Sequence, residues 1–184
     1  MADTASQAVV FSMNGAREVL SQSAGAVQIE RQIQTIENAV NEASPLAFDM
    51  CKSLIETVCK TILRDRNALV EGNPDLPDLL RQTLQSLALL PESHSDNPQL
   101  RDTLRKTVNG LQTVVQGLCE LRNQEGMAHG REAEAPSLGR GHALMAARAA
   151  DAIVHFLFSS HVGHSVEAPA PRLEYGDNPN FNDF

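Results

Sequence analysis

The sequence predicts an all-α protein folded as an antiparallel bundle of about five helices. Apolar residues recur every three or four positions over long stretches, and no sustained alternation of the kind that strands show is present. Prolines mark the beginning or the end of several of these stretches, and the connections between them are short. Short connections favour helices that pack side by side as antiparallel neighbours. At 184 residues, the chain is long enough for one domain with one core.

The first half of the bundle follows from apolar spacing and a capping signal. Residues 1–28 are rich in Ala, Ser and Gln, which predicts a weakly structured segment or a short helix. The first clear amphipathic helix has its apolar positions at Ile29, Ile33, Ile36 and Val40. Ser44 followed by Pro45 predicts the N-cap and the first residue of a second helix, which runs to about Asp65.

Two further helices are predicted in the middle of the chain. A leucine-rich stretch predicts the third helix between Pro77 and Pro91, and a long apolar seam predicts the fourth over residues 98–126. Gly110 and Gly117 lie inside the fourth helix, and each weakens it by up to about 1 kcal/mol relative to alanine. Because glycine has no side chain, we expect a neighbouring helix to pack closely at these two positions.

The fifth helix is predicted over about residues 141–160. It is apolar nearly all round, which favours a place at the centre of the bundle. A glycine-rich, partly basic loop precedes it, and a proline-rich stretch without periodicity follows it. The predicted organisation is an N-terminal segment over 1–28, a bundle domain over 29–162 and an extended tail over 163–184.

Composition and charge exclude several functions. There are 23 Asp and Glu residues against 15 Lys and Arg residues, so the net charge is −8 at pH 7, which argues against a coat protein for long nucleic acids. Aromatic residues make up 4% of the chain and Trp is absent, which argues against a broad stacking surface for single strands. The sequence has no run of 18 apolar residues, no basic N-terminal signal region and only three cysteines. We therefore predict a cytoplasmic protein with reduced thiols and no membrane contact.

The residues that point to chemistry lie where the fourth helix gives way to the glycine-rich loop. Arg122, Asn123 and His129 are grouped there. Cleavage of RNA by its own 2′-hydroxyl needs a proton-transfer group and a group that neutralises charge on the phosphate, and His and Arg suit these roles. No metal is required by this set. A surface arginine beside a loop histidine without a function is the alternative interpretation, because this spacing is common by chance.

The spacing of Arg122 and His129 limits how the two side chains could act. They are seven residues apart, which on an unbroken helix is about 10.5 Å along the axis. That is too far for both to hold one phosphate. A helix break at Gly126 would let His129 fold back, and a symmetric dimer would line one cleft with two copies of the pair.

Four phrases of the chain carry a resemblance to a known family: SPLAFDMCKSLIETVCKTIL, DLPDLLRQTLQSLALLP, GLQTVVQGLCELRNQEGMAHGR and GRGHALMAARAADAIVHFLF. They are similar to the abortive infection C-terminal domain family of the HEPN superfamily, a group of bacterial defence and toxin proteins. The similarity covers roughly residues 29–162. It implies an α-helical bundle, usually dimeric, and often metal-independent cleavage of RNA.

The resemblance also implies roles for individual residues. The block from Arg122 to His129 is similar to the HEPN motif of Arg, a polar residue and a following His, so Arg122 and His129 would be catalytic and Asn123 would be the polar position. Some HEPN toxins carry a Tyr two residues after the His, which a nucleotidyltransferase antitoxin modifies. This chain has Arg131 there, which argues against that form of regulation.

The sequence thus predicts a metal-independent endoribonuclease effector or toxin of bacterial anti-phage defence, with no cofactor and no metal. The predicted RNA-binding residues are Arg131, Arg140, His142 and Arg148. The predicted partners are the RNA substrate, a second copy of the chain and an antitoxin or defence-system protein, with DNA excluded as a substrate. The first alternative is a non-catalytic HEPN-like module that dimerises or binds a protein or nucleotide. The second is a small regulatory helical protein of unrelated role.

Overall fold

The computed structural model describes residues 10–20, 26–70, 72–90, 97–126 and 138–166, apart from the side chains of 122–126 and 164–166. These residues form six helices and contain no strand, which confirms the predicted all-α bundle. The helices are α1 (Asn14–Leu20), α2 (Ala26–Asn41), α3 (Leu46–Asp65), α4 (Leu76–Ser86), α5 (Pro98–Gly126) and α6 (Arg140–Val166).

Helix α3 is the element around which the bundle is built. It packs against α2, α4, α5 and α6. Apolar side chains on several of its faces are fully buried, which explains why four neighbours can pack around it. Its largest buried side chains are Phe48, Leu54, Ile55, Ile62 and Leu63.

Short polar side chains accept hydrogen bonds at the N-termini of three of the helices. The Ser44 hydroxyl accepts a hydrogen bond from the Leu46 N–H at 3.3 Å. Helix α3 begins at Leu46, with Pro45 in its cap position, one residue later than the sequence predicted. The side chains of Asp75 and Asn97 each accept a hydrogen bond at 3.0 Å from an N–H of the first turn, in α4 and α5 respectively. These bonds satisfy donors that a helix leaves unpaired at its beginning.

The described part of the N-terminal segment, residues 10–20, belongs to the core, although the sequence predicted the bundle to begin at residue 29. Helix α1 contacts α6 and α2. Four apolar side chains before or within α1 are almost fully buried, namely Phe11, Met13, Ala16 and Leu20. The predicted short helix is therefore present, and it completes the core rather than preceding it.

Helix α6 continues to Val166, six residues beyond the predicted end at Ser160, so residues 163–166 are helical and not part of an extended tail. Residues 167–184 lie outside the described residues. One face of α6 is buried, but Met145 is 54% exposed and Phe156 is 42% exposed. The predicted central position therefore holds for one face of the helix only.

By length and composition, α6 is the one helix among the described residues that could cross a membrane. Of the apolar window that meets this test, 44% is buried inside the structure. The core helix of a soluble protein meets the same test.

Helix α5 is only partly embedded in the bundle. Of its predicted apolar seam, Val115 and Leu118 are buried, whereas the seam residues nearer its beginning are half-buried. A Cβ atom added at Gly110 or Gly117 would have no neighbouring atom within 4 Å. The expected close packing of a neighbouring helix against these glycines does not occur within the described chain.

Candidate functional site

The predicted catalytic residues lie at and beyond the end of α5. Arg122 and Asn123 are on the last described turns of this helix, which is helical as far as Gly126, the last described residue before the loop. His129 and Arg131 fall outside the described residues. The structure therefore places the first two residues of the motif on one helix, and the approach of His129 to Arg122 stays a prediction.

The position of Arg122 is fixed by the residues one and two turns before it. Val115 is 0% exposed and Leu118 is 3% exposed, and through such residues α5 packs against α3 and α4. Arg122 comes four residues after Leu118, which is one helical turn further along the same side of the helix. The backbone at Arg122 is thus held at the edge of the core, next to the loop that follows Gly126.

Helix α6 is the next element along the chain after that loop. Ala143 is buried and anchors the first turn, whereas Arg140 and His142 are exposed. An exposed cationic or imidazole side chain on a buried helix end can contact a phosphate without unfolding anything. The structure therefore leaves two of the predicted RNA-binding residues accessible, within four residues of the loop's described end at Leu138.

Arg148 is the one predicted RNA-binding residue with a described partner. Its guanidinium carbon lies 5.2 Å from the centre of the Phe11 ring, in the geometry of a cation–π contact. Such contacts at exposed sites contribute about 0.5–1 kcal/mol. Arg148 is also eight residues, or about 12 Å along the axis, beyond Arg140. The structure thus gives Arg148 a role in holding the N-terminal segment, and its contact with RNA stays a prediction.

A polar groove between α4 and α5 was not predicted from the sequence. Its volume is about 460 Å³. It is lined by Pro77, Asp78, Arg81, Asn109, Gln112, Thr113 and Gln116. The amides of α5 recur at helical spacing, which indicated a polar face. Only the structure shows that this face meets α4.

The described residues offer little for metal or thiol chemistry. They contain no group of three or more His, Cys, Asp or Glu side chains that could hold a metal ion. Cys51 and Cys59 are buried free thiols on α3, and burial raises the pKa of each to about 12. A thiol with such a pKa is almost entirely protonated near neutrality and is a poor nucleophile.

The six-helix fold is consistent with a HEPN-like helical domain, and a family comparison shows that class. A sequence model of the HEPN-like domain of the abortive infection C-terminal family matches residues 27–161. This match covers most of the chain, so the chain belongs to that family, as the resemblance predicted. No curated protein and no solved structure matches the chain. The match leaves out α1, which the structure shows to be part of the same core.

Proposed function

We propose that this chain is a metal-independent endoribonuclease that acts in the cytoplasm of bacteria during anti-phage defence. Family membership supports an abortive-infection-related role. The observation that carries the proposal further is the placement of Arg122 and Asn123 at the end of α5, beside the glycine-rich loop that bears His129. This is where a cationic donor, an amide and an imidazole would meet a single phosphodiester.

In the proposed reaction, the 2′-hydroxyl of the RNA attacks the adjacent phosphorus. His129 transfers a proton, either from that hydroxyl or to the leaving 5′-oxygen. Arg122 holds the phosphate and stabilises the negative charge that develops on it, and Asn123 orients one of the reacting groups. The products carry 2′,3′-cyclic phosphate and 5′-hydroxyl ends. DNA is not cut, because it lacks the attacking hydroxyl.

The site is proposed to be completed by a second copy of the chain. One pair of Arg122 and His129 spans about 10.5 Å if the helix continues. A two-fold axis beside the end of α5 would place two such pairs around one cleft, so that the arginine of one copy serves the histidine of the other. Arg140 and His142, together with Arg131, would bind the flanking phosphates.

The test is RNA digestion by the purified chain in EDTA. Arg122→Ala and His129→Ala should each lower the cleavage rate by about 10²–10⁴-fold, since each removes a positioned catalytic group. Arg101→Ala, an exposed arginine on the same helix, is the matched control and should cleave at the wild-type rate. Expression toxicity should follow cleavage in all four proteins. A requirement for Mg²⁺, or activity that survives His129→Ala, would contradict the proposed mechanism.

The net charge of −8 supports the second candidate, a non-catalytic HEPN-like module. An acidic chain repels a long polyanion such as RNA more strongly than it repels a protein partner. The groove between α4 and α5, with its amides and Arg81, is a surface such a partner could contact. Absence of cleavage on several RNA classes, together with saturable binding of a protein partner that Arg81→Ala weakens, would favour this candidate over the nuclease.

A further inference from the structure

Arg81 on α4 lies where two grooves meet. It lines the polar groove between α4 and α5 and also a second groove, of about 290 Å³, between α4 and the end of α3. The second groove is also lined by Leu63, Ala68, Leu69, Gln82, Gln85 and Ser86. Arg81 is exposed and makes no hydrogen bond or ion pair with a described residue. Its guanidinium is therefore available to an anion that carries a further group on each side.

The α5 wall of the first groove presents side-chain amides. Asn109 and Gln112 line it, and their amides make no hydrogen bond with a described residue. Gln116 lines it one turn further on, where its Nε2 donates to Glu120 at 3.0 Å. An amide carries both donors and acceptors in one plane, and this matches the edge of a nucleobase.

Cations are available at both sides of this amide wall, although the chain as a whole is acidic. Lys106 lies one turn before Asn109 on α5, is exposed and makes no bond with a described residue. Arg81 faces it from α4. Among the residues that line the first groove, Asp78 is the one carboxylate. The local charge therefore permits a phosphate at Arg81 and another at Lys106.

We propose that this α4–α5 surface binds an unpaired segment of the RNA substrate, with a phosphate at Arg81 and one base in each of the two grooves beside it. Lys106 binds a second phosphate of the same strand. The amides hydrogen-bond to base edges, which are accessible in this way only where RNA is single-stranded. The choice of RNA rests on the proposed function. The inference adds a site that holds the substrate away from the catalytic residues.

The two grooves also predict which bases are preferred. Gln82 lines the second groove, and its Oε1 is buried without a hydrogen-bond partner among the described residues. A rotation of the amide would direct this acceptor into the groove, and Asp78 provides acceptors in the first groove. Cytosine and adenine carry an exocyclic amino group that donates to such acceptors, whereas uracil carries none. We therefore expect cytosine to bind more tightly than uracil.

The surface is separate from the catalytic residues on the same helix. Arg122 comes nine residues after Thr113, which is about 13.5 Å along the axis and half a turn around it. The strand must therefore pass around α5 between the two sites. We expect the surface to change the affinity for RNA and not the chemical step.

An acidic peptide is the competing occupant, because amides also bind peptide backbone. Its carboxylates would need only the guanidinium of Arg81. A strand of RNA alternates phosphate and base, and the surface alternates in the same way: a groove, Arg81, a second groove, with Lys106 beyond the amides. This match is why we assign the surface to RNA.

The first experiment measures binding of a fluorescent 12-nucleotide oligocytidylate to the His129→Ala chain by anisotropy. We expect a Kd of about 10⁻⁵ M near physiological salt. Arg81→Ala should weaken binding and lower the slope of log K against log salt by about 0.7, the value of one phosphate contact on a single strand. Arg81→Lys should restore the slope. Arg64→Ala, which removes an arginine that is 67% exposed on α3, is the matched control and should bind unchanged. An unchanged slope in Arg81→Ala, or no binding at 100 µM, would overturn the proposal.

The second experiment tests what the surface recognises. Oligocytidylate should bind several-fold more tightly than oligouridylate, and Asp78→Asn should reduce this preference. Equal binding of the two, or equally tight binding of a base-paired duplex, would contradict the base contacts. Hexaglutamate that binds more tightly than oligocytidylate, with the same loss in Arg81→Ala, would assign the surface to an acidic protein segment and overturn the proposal.

These binding measurements do not depend on RNA cleavage, so the outcome for the surface is separate from the outcome for the nuclease. If the chain cleaves RNA, Arg81→Ala should raise KM for a 12-nucleotide substrate and leave kcat unchanged. A loss of kcat with an unchanged KM would place Arg81 in the chemical step and overturn its role as a substrate-binding residue.

Discussion

Glu37 should be one of the polar residues on which the stability of this bundle depends most. Its side chain on α2 is 8% exposed. One carboxylate oxygen accepts hydrogen bonds from the Met13 N–H at 2.7 Å and from Arg17 Nη1, and the other accepts from Arg17 Nη2 at 3.0 Å. Burial alone would raise the pKa of Glu37, but the bonds from Arg17 and Met13 more than offset this and hold the pKa below 4.5. The carboxylate thus fastens the N-terminal segment to the bundle.

The cost of removing this carboxylate follows from the groups that it leaves behind. In Glu37→Ala the buried Met13 N–H loses its acceptor, which costs about 1–3 kcal/mol. Arg17 is 30% exposed and keeps its ion pair with Glu30 at 2.9 Å. The loss of its ion pair with Glu37 therefore adds only about 1 kcal/mol. We expect a total of about 2–4 kcal/mol. Glu37→Gln keeps an acceptor for Met13 and should lose about 1 kcal/mol.

Urea unfolding followed by circular dichroism measures both values, and hydrogen exchange locates the effect. Amides of α1 should exchange much faster in Glu37→Ala, while those of α3 should change only as far as global stability falls. The matched control is Glu30→Ala, which removes the more exposed partner of Arg17 and should cost less than 1 kcal/mol. Equal stability of Glu37→Ala and wild type would refute the assignment of α1 to the core.

Three further predictions concern α1 and the end of α6. Asp151→Ala removes the acceptor of the Ala16 N–H and should lower the melting temperature by about 2–4 °C, the equivalent of about 1 kcal/mol. Gly15→Ala should also lower the melting temperature, since its Cβ would lie 3.3 Å from His155 Cβ and from Asp151 Oδ1, which cannot move away without weakening its bond to the Ala16 N–H. Burial lowers the pKa of His161 below 6.5, so the unfolded chain takes up that proton first. Stability from this group is complete above pH 6.5 and falls below it, and His161→Gln should flatten that part of the pH profile.

The helices that could be predicted most closely are those whose apolar spacing and caps agree. Helix α2 follows from its isoleucines, and α3 follows from its apolar repeat after Pro45. Helix α4 begins next to Pro77 as predicted, but it ends at Ser86, before the predicted stop at Pro91. In each case the local signals and the packing agree, so one sequence window contained the information. The exact beginning of α3 was wrong by one residue, because Pro45 takes the cap position while Ser44 provides the acceptor.

The core membership of α1 could not be predicted, because the bonds that hold it connect distant parts of the chain. Met13 bonds to a residue 24 positions later, and Ala16 bonds to one 135 positions later. The helix itself has 7 residues, too few for a clear apolar period. Its polar anchors have no local signature, so composition alone suggested a weakly structured segment.

The outer face of α6 was missed for a different reason. A helix that is apolar all round can be buried on every side or on one side only, and the sequence does not distinguish these cases. The exposure of Met145 and Phe156 distinguishes them.

For the candidate site, the motif gave the residue types and their order, and the structure places Arg122 and Asn123 on α5. The distance to His129 depends on the course of the loop, which neither spacing nor helix propensity determines.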